Sequence, residues 1–186
     1  VPQSRRRFSL IATRIEGVKL SLPKADDHVS ILKDFIGEEH GFHPINAGYK
    51  DATDFNHTAA GLNDICLKRI RKTKTDGGCR LDWADDPELQ LPCFVGKDSS
   101  FKDTFGRMWW NKPAPTITTK FFSLSNGRFG HPTEDRAISI REGATLQTFP
   151  STYVFKTKSI AATAKLIGNA VPCEYARRIG NLIINL

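Results

Sequence analysis

The segment at residues 136–150, RAISIREGATLQTFP, constrains the fold of this chain more than any other stretch. Ser139 and Glu142 form a capping box, in which the serine hydroxyl accepts from the Glu142 N–H and the carboxylate accepts from the Ser139 N–H. Apolar residues at helical spacing follow, and Pro150 ends the segment. Glycine costs a helix about 1 kcal/mol relative to alanine, so Gly143 predicts a close neighbour. The segment therefore predicts a short helix packed in a core.

The composition favours a basic globular chain with an anionic partner. The chain has 186 residues, of which 39% are hydrophobic, enough for one sizeable core. The formal net charge is +7, and this excess of cations favours nucleic acid as the partner. We find neither an apolar run of about 18 residues nor a signal peptide, so we expect a cytoplasmic protein without a membrane span.

The cysteines and histidines form no metal or disulfide pattern. No pair among the four cysteines has CxxC spacing, which favours reduced thiols. His40 and His43 lack a matching cysteine or histidine pair, so we predict that no metal is bound. Cys93 follows a proline, but nothing nearby marks a cationic site that would activate its thiol, and we predict that it is not a nucleophile.

Weaker patterns precede the capped helix. Residues 8–12 are a short apolar run that predicts a buried strand. Residues 28–36 have helical spacing and predict a short helix. Residues 64–75 carry five basic side chains, which form either a solvated helix face or a strip that contacts phosphates. We expect the acidic residues at 82–88 to point away from DNA. Residues 89–135 alternate apolar runs with turn residues and predict small strands.

Three further expectations concern the tryptophan pair and the C-terminal third of the chain. Trp109 and Trp110 are expected in a core, because tryptophan is highly buried on average. Residues 151–162 are expected to be a connector. Near the C-terminus, an apolar stripe predicts a terminal core helix that starts near Pro172. The stripe consists of Val171, Tyr175, Ile179, Leu182, Ile183 and Leu186.

Three motifs, in this order, resemble motifs VIII, IX and X of the DNA (cytosine-5) methyltransferases. They are PQSRRR at 2–7, RxxSxREGAxLQxFP at 136–150 and IGNAVP at 167–172, and the resemblance covers essentially the whole chain. It implies an α+β fold with a small mixed target-recognition domain. A strand and the C-terminal helix would belong to a Rossmann-like S-adenosylmethionine-dependent methyltransferase domain that is mostly absent from this chain.

The resemblance also implies domain bounds. Residues 1–27 would be the end of the catalytic domain, with the motif VIII strand and a connector. Residues 28–158 would be the target-recognition domain, including motif IX. Residues 159–186 would carry motif X and the helix that returns to the catalytic domain.

Individual roles follow from the same resemblance. Gln3, Arg5 and Arg7 correspond to residues that line the pocket for a flipped cytosine, with Arg7 as the donor to the ring carbonyl. Such a donor offsets the charge that develops when C6 is attacked. The turn that touches S-adenosylmethionine corresponds to Asn169, Ala170 and Val171. The motif IX residues expected to have a structural role are Arg136, Ser139, Arg141 and Glu142.

Contacts with double-stranded DNA are expected from the target-recognition domain. Thr116-Ile117 resembles the family's Thr-Leu dipeptide, in which the threonine contacts backbone near the flipped nucleotide. Arg128 lies in a loop typical of the region before motif IX, and a basic loop beside a hydroxyl suits phosphate positioning. Bases would be read in the major groove, where the pattern of donors and acceptors is unique. The basic segment adds Lys68, Arg69, Arg71 and Lys72 as candidate contacts.

The catalytic motifs of the family are not found in this sequence. It contains no FxGxG cofactor loop, no Pro-Cys nucleophile ahead of motif VIII and no Glu-Asn-Val motif. The reaction needs a thiolate at C6 and a methyl donor at C5. We therefore predict that this chain alone does not methylate DNA, and that it binds S-adenosylmethionine weakly or not at all.

Three interpretations remain open from the sequence. The favoured one is the C-terminal DNA-recognition portion of a DNA (cytosine-5) methyltransferase of a restriction–modification system, because motifs VIII, IX and X are found and the catalytic motifs are not. The second is a non-catalytic DNA-binding subunit of a split methyltransferase, with a partner chain that carries the missing motifs. The third is an unrelated basic nucleic-acid module, which loss of the helix start at Ser139 would favour.

Overall fold

The computed structural model describes residues 1–18, 22–24 and 26–184, and within them the chain is built from short helices and loops. Strand pairing in these ranges is limited to three isolated bridges, which join Gln3 to Ala114, Arg107 to Gly130 and Gly130 to Ala137. The described part of the chain contains four α-helices, which are α1 (Asp64–Lys72), α2 (Ile140–Leu146), α3 (Ile160–Asn169) and α4 (Cys173–Ile184). Single turns of 3-10 helix lie at Leu32–Asp34, Glu38–His40, Arg80–Trp83, Pro92–Phe94 and Leu124–Asn126.

Two clusters of buried apolar residues, within the described ranges, hold α1, α2 and α3 in place. The central core packs around α2 and α3, and the lateral core packs around α1 and the turn Arg80–Trp83. The central core contains Leu32, Ile36, Phe42, Met108, Ala114, Ile117, Phe121, Phe129, Ile138, Ile140, Ala144, Leu146, Ala164 and Ile167. The lateral core contains Ile70, Trp83, Leu89, Phe94, Phe105, Leu124 and Ala137.

Helix α2 starts as the sequence predicts. The Glu142 N–H donates to Ser139 Oγ at 3.1 Å, and the Ser139 N–H donates to the Glu142 carboxylate at 2.6 Å. A Cβ added at Gly143 would overlap the ring of Phe121, which is the close neighbour that the glycine indicated. The helix ends at Leu146, ahead of Pro150.

The strand predicted at residues 8–12 is not formed. Within the described ranges this segment pairs with no other, and the side chains of Phe8 and Leu10 are 92% and 81% exposed. An extended segment is not stable as a strand without neighbours to complete its hydrogen bonds. The small strands predicted in 89–135 are likewise replaced by turns, and only Leu32–Asp34 of the helix predicted at 28–36 is helical.

Helix α4 starts just after Pro172, as predicted, but it is not a core helix. None of its residues is buried. Leu186, which the predicted stripe included, lies outside the described residues, as do positions 19–21 and 25 of the predicted N-terminal connector. Trp109 and Trp110 are both half-buried, and Trp110 packs against the central core. No helix in the described part of the chain combines the length and apolar composition that crossing a bilayer requires.

Helix α3 replaces part of the connector predicted at 151–162. It starts at Ile160, where the Ala162 N–H donates to Ser159 Oγ at 3.2 Å, and it ends at Asn169. A Cβ at Gly168 would overlap the backbone of Thr118 and Thr119, so glycine allows the last turn of α3 to approach that loop. This contact places the C-terminal end of α3 beside the N-terminal segment of the chain.

Candidate functional site

The N-terminal segment is held in an extended conformation along residues 114–117. The Ser4 N–H donates to Ala114 O at 2.8 Å, and the Ala114 N–H donates to Pro2 O at 2.9 Å. Thr116 Oγ1 donates to Ser4 O at 2.6 Å. These bonds fix the direction in which the chain leaves toward Arg5 and Arg7.

A cleft of about 460 Å³ lies between this segment and the junction of α3 and α4. Its lining includes side chains from both ends of the sequence, with Tyr175 and the exposed Phe8 at its wall. The residues predicted for the base pocket and the cofactor turn all line it: Gln3, Arg5, Arg7, Asn169, Ala170 and Val171. The fold thus brings the motif VIII and motif X residues together around one cavity.

The two arginines of this cleft differ in how firmly they are held. Arg5 is half-buried, and its Nη1 donates to Ile117 O at 3.0 Å and to Gly168 O at 3.3 Å. Partial burial and the charge of Arg7 lower the pKa of Arg5 from its ordinary value. Arg7 is exposed, and its Nη1 donates to Arg6 O at 2.7 Å. The hydrogen bonds of Arg5 therefore hold the segment in place, while the exposed guanidinium of Arg7 is accessible at the open part of the cleft.

The motif IX residues form a buried ionic network around the start of α2. Arg136 donates to both carboxylate oxygens of Glu142, at 2.7 and 2.8 Å, and to both of Glu134, at 3.0 Å each. Burial opposes the charge of Glu142, but Arg136 outweighs it and lowers the pKa of Glu142 to about 2. The cap at Ser139 adds a further N–H donor to this carboxylate.

His131 completes the network as a neutral imidazole. Burial lowers its pKa to about 4, even though Glu142 and Glu134 oppose that shift. Its Nδ1 accepts from the Glu134 N–H at 3.0 Å, and its Nε2 lies 3.2 Å from Glu134 Oε1. The backbone donor therefore sets the tautomer with the proton on Nε2.

Ligand atoms of His131, Glu134 and Glu142 lie within 4.8 Å of one another, as in a metal site. Arg136 already supplies the cation for both carboxylates, and its guanidinium is fully buried between them. A divalent ion would have to displace this arginine, so the arrangement fits an internal ion-pair network rather than a metal centre. The earlier candidate His40 is instead hydrogen-bonded to the Lys33 carbonyl.

Arg141 connects α2 to two loops. It donates to the carbonyls of Phe55, of Asp54 at 3.2 Å and of Tyr153 at 2.9 Å, and it packs over the rings of Phe55 and Phe155. Its side chain is fully buried. The motif IX residues thus hold the loops around α2 in place.

Three of the predicted DNA contacts are buried within this chain. Arg69 and Arg128 are 7% and 6% exposed, and Ile117 is fully buried in the central core. Arg128 donates to Asp103 at 2.7 Å and to the Arg107 carbonyl at 2.8 Å, while Arg69 donates to Leu89 O at 2.8 Å. These guanidinium groups bind protein carbonyls, so they are not accessible to a phosphate.

The remaining basic side chains of α1 are exposed but paired. Lys68 and Lys72 form ion pairs with Glu88 and Asp86 of the acidic stretch. Arg71 lies 3.6 Å from Asp135. These acids neutralise the strip, which weakens the case for phosphate contact there. Thr116 is half-buried with its hydroxyl bonded to Ser4 O.

The thiols show no activation at the cleft. Cys93 is exposed in the turn Pro92–Phe94, next to the lateral core. Burial raises the pKa of the Cys173 thiol, which disfavours a thiolate. Neither residue lines the cleft.

Sequence reasoning missed two residues of the site. Gln147 is fully buried and donates to Ile167 O at 2.8 Å, and Tyr175 donates to Ser9 Oγ at 2.7 Å across the cleft. The available signal for Gln147 was its place in the LQxFP stretch, where a polar residue interrupts an apolar run. Tyr175 was assigned only to an apolar stripe.

Comparison with known proteins identifies the family. Residues 1–185 match the family described as C-5 cytosine-specific DNA methylase. The type II methylase M.HgiDII of Herpetosiphon aurantiacus is 38% identical over 189 residues, which cover 98% of this chain and 51% of that protein. The type II methyltransferase M1.BsuMI of Bacillus subtilis (strain 168) is 42% identical over 89 residues, which cover 47% of this chain and 21% of that protein.

A third relative covers the full chain at lower identity. The type II methyltransferase M.Eco47II of Escherichia coli is 27% identical over 194 residues, which cover 100% of this chain and 43% of that protein. The chain thus spans about half the length of M.HgiDII and less than half of M.Eco47II. With the family match over nearly every residue, the chain belongs to the C-5 cytosine-specific DNA methylases.

Proposed function

We propose that this chain is the C-terminal DNA-recognition portion of a DNA (cytosine-5) methyltransferase of a restriction–modification system. The complete enzyme would transfer a methyl group from S-adenosylmethionine to C5 of a flipped cytosine in a specific site of double-stranded DNA. The observation that carries the proposal is the cleft where Gln3, Arg5 and Arg7 meet residues 169–171. The type II relatives support the restriction–modification context.

Each arginine of the cleft has a distinct part in this function. Arg7 would donate to the carbonyl of the flipped ring and stabilise the charge that attack at C6 creates. Arg5, fixed by the carbonyls of Ile117 and Gly168, would hold the segment so that Arg7 meets the base at a set position. Gln3, 7% exposed, anchors the same segment to the central core.

The turn at Asn169, Ala170 and Val171 would form one edge of the cofactor site. Asn169 and Val171 are exposed on the rim of the cleft, which leaves their polar and apolar surface available to a ligand. S-adenosylmethionine, when bound, supplies the methyl group. The chain contributes the rim and its position, since Gly168 packs the turn against the loop at 118–119.

We propose that the missing half of the enzyme covers the exposed apolar surface beside the cleft. Phe8, Leu10 and Ile15 are 92%, 81% and 64% exposed, and Ile184 of α4 is 81% exposed. Phe8 lines the cleft, and exposed apolar patches mark interaction sites. In the complete enzyme, residues 8–12 would join the sheet of a Rossmann-like domain and α4 would pack on it.

This arrangement corresponds to an α+β fold in three parts. Residues 1–27 and 159–186 would belong to the catalytic domain. Residues 28–158 would form the target-recognition domain between them.

Complementation tests the proposed function. The 186-residue chain is mixed with the amino-terminal half of M.HgiDII, and labelled methyl transfer to unmethylated plasmid DNA is measured for each polypeptide and for the mixture. We expect methylation at one short site, mapped by bisulfite sequencing, only in the mixture. Methylation by the chain alone, or none in a mixture that forms a complex, would contradict the proposal.

Two arginine variants sharpen the same assay. Removing one donor to a developing oxyanion typically costs on the order of 10²–10³ in rate, so Arg7→Ala should lower methyl transfer by this factor. Arg14→Ala is the control, because Arg14 is an exposed arginine nearby that does not line the cleft. Equal losses in both variants would count against a base-contacting role for Arg7.

One observation favours the alternative of a non-catalytic subunit in a split methyltransferase. Among the described residues, the central core closes around α2 and α3 with fully buried members, as expected of a polypeptide that folds separately. Coding sequence upstream in the same reading frame would exclude this alternative. A separate start codon, with activity in an unlinked mixture, would support it.

A further inference from the structure

Two buried glutamine amides connect the two sides of the cleft. Gln3 Nε2 donates to Gln147 Oε1 at 2.8 Å, and Gln147 Nε2 donates to Ile167 O at 2.8 Å. On the other side, the Ile117 N–H donates to Gln3 Oε1 at 3.0 Å. A continuous chain of hydrogen bonds therefore runs from Ile117 through both amides to the last turn of α3. Gln147 is fully buried and Gln3 is 7% exposed.

The hydrogen-bond partners fix the direction of this chain. A reversed Gln3 amide would face its NH₂ group toward the Ile117 N–H, so that two donors would meet. A reversed Gln147 amide would face its oxygen toward the Ile167 carbonyl, so that two acceptors would meet. The backbone partners therefore fix the orientation of each amide, and the hydrogen bond between the two amides fits these orientations.

The backbone of Gln147 adds a link to α4. The Cys173 N–H donates to Gln147 O at 3.2 Å, and Gln147 Nε2 also lies 3.5 Å from Ala170 O. One residue thus contacts the end of α3, the start of α4 and, through Gln3, the segment that carries the cleft arginines.

We propose that Gln147 is a positioning residue that keeps the arginine side of the cleft in register with the turn at 169–171. Arg5 follows Gln3 by two residues, so a rotation of Gln3 would move the guanidinium away from the carbonyls of Ile117 and Gly168. The catalytic meaning of this register rests on the proposed function. The coupling between Gln147 and the two sides of the cleft does not rest on the proposed function, because it concerns contacts within this chain alone.

Amide hydrogen exchange of the full 186-residue chain tests the coupling. Gln147→Met keeps the length of the side chain and removes both its donor and its acceptor. We expect the amides of Ile117 and Ala170 to exchange at least 10-fold faster, since each donates to a group that is also hydrogen-bonded to Gln147. Gln90→Met is the control, because Gln90 also donates to a carbonyl, that of Ala84 at 3.1 Å, away from the cleft.

A second variant covers the case in which Gln147→Met does not fold. Gln147→Glu keeps the acceptor for Gln3 but loses the donor to Ile167. We expect faster exchange at Ala170 with protection at Ile117 retained. Unchanged protection at both amides, or a uniform loss over all core amides, would overturn the proposal in either variant.

Methyl transfer by the complemented enzyme provides a readout that a purely structural role would not move. With Gln147→Glu we expect kcat to fall and KM for S-adenosylmethionine to rise at least 10-fold, with KM for DNA unchanged. A loss of activity that only follows the folded fraction would overturn the positioning role. If the wild-type mixture is inactive, the proposed function fails, while the exchange result still decides the coupling.

Discussion

Helices α2 and α4 both adjoin motifs of the family, yet their exposure to solvent is opposite. Helix α2 buries six of its seven residues, including the charged Arg141 and Glu142. Helix α4 has twelve residues and buries none, although it carries Ile183 and Ile184, which are 53% and 81% exposed. Helix α2 thus buries two charged side chains beside its apolar ones, while α4 leaves apolar side chains exposed, and both run against the usual preference.

The difference shows which part of this chain is complete. The buried charges of α2 are stabilised by partners within the chain, as Glu142 is by Arg136. The apolar surface of α4 and of residues 8–12 has no such cover among the described residues. We therefore expect changes at α2 to act on folding and, under the proposed function, changes at α4 to act on assembly with the proposed missing half.

The largest effect on stability is expected at the buried ion pair of α2. Glu142→Gln leaves Arg136 buried with only Glu134 as a counterion, and breaking a buried pair typically costs about 3 kcal/mol or more. Urea unfolding of the chain measures this loss. The control is Glu88→Gln, which removes the exposed partner of Lys68 and should leave the midpoint nearly unchanged. Equal shifts would contradict the comparison.

Acid should destabilise the α2 region through His131. The pKa of His131 is about 4 in the folded chain, below the ordinary value of 6.5 that its imidazole has in the unfolded chain. As the pH falls, the unfolded state therefore binds the proton first. Stability is therefore full above pH 7 and falls as the pH drops from 6.5 to 4, by on the order of 3 kcal/mol. Glu142, with a pKa of about 2, adds a further loss below its unfolded value of 4.5.

Urea unfolding between pH 8 and pH 5 measures the histidine contribution. His131→Asn should flatten the curve, because its side chain stays neutral. His57, whose pKa is also lowered by burial, should leave a smaller residual slope. A curve for the variant that is parallel to wild type would show that His131 is not the group involved.

A pair of helical glycines should respond with opposite signs. Gly143→Ala puts a methyl group into the ring of Phe121, and such overpacking costs about 1–3 kcal/mol. Gly180→Ala in α4 meets nothing within 4 Å, so helix propensity should stabilise the chain by up to about 1 kcal/mol. Thermal unfolding of both variants checks the signs, and stabilisation by Gly143→Ala would contradict the packing described for α2.

The smallest effect on the isolated chain is expected at the end of α4. Ile184→Ser changes a side chain that is 81% exposed, so its unfolding free energy should stay within about 0.5 kcal/mol of wild type. The same variant should weaken binding to the amino-terminal half of M.HgiDII, measured by titration calorimetry. Unchanged binding would remove α4 from the proposed interface.

The sequence predicted those features that local chemistry determines. The capping box at Ser139 depends on residues three apart, and the neighbour of Gly143 followed from helix propensity. The strand at 8–12 could not be predicted correctly, because a strand depends on partners that the described residues do not provide.

The burial of individual side chains also could not be predicted from the sequence. Arg128 looks like a DNA contact until the fold brings Asp103 and the Gly77 carbonyl to it, from 25 and 51 residues away. The three motifs indicated the cleft, but the role of Gln147 depends on the distant Gln3 and Ile167. Such contacts follow only from the tertiary structure.

Side-chain footprinting of the chain with and without the amino-terminal half of M.HgiDII tests the central claim most directly. Hydroxyl-radical oxidation reports the solvent access of Phe8, Leu10 and Ile184 in solution. We predict that their oxidation slows at least several-fold on mixing, while that of Leu146 in α2 stays low in both samples. Unchanged oxidation at all three exposed residues in a mixture that binds would contradict the account.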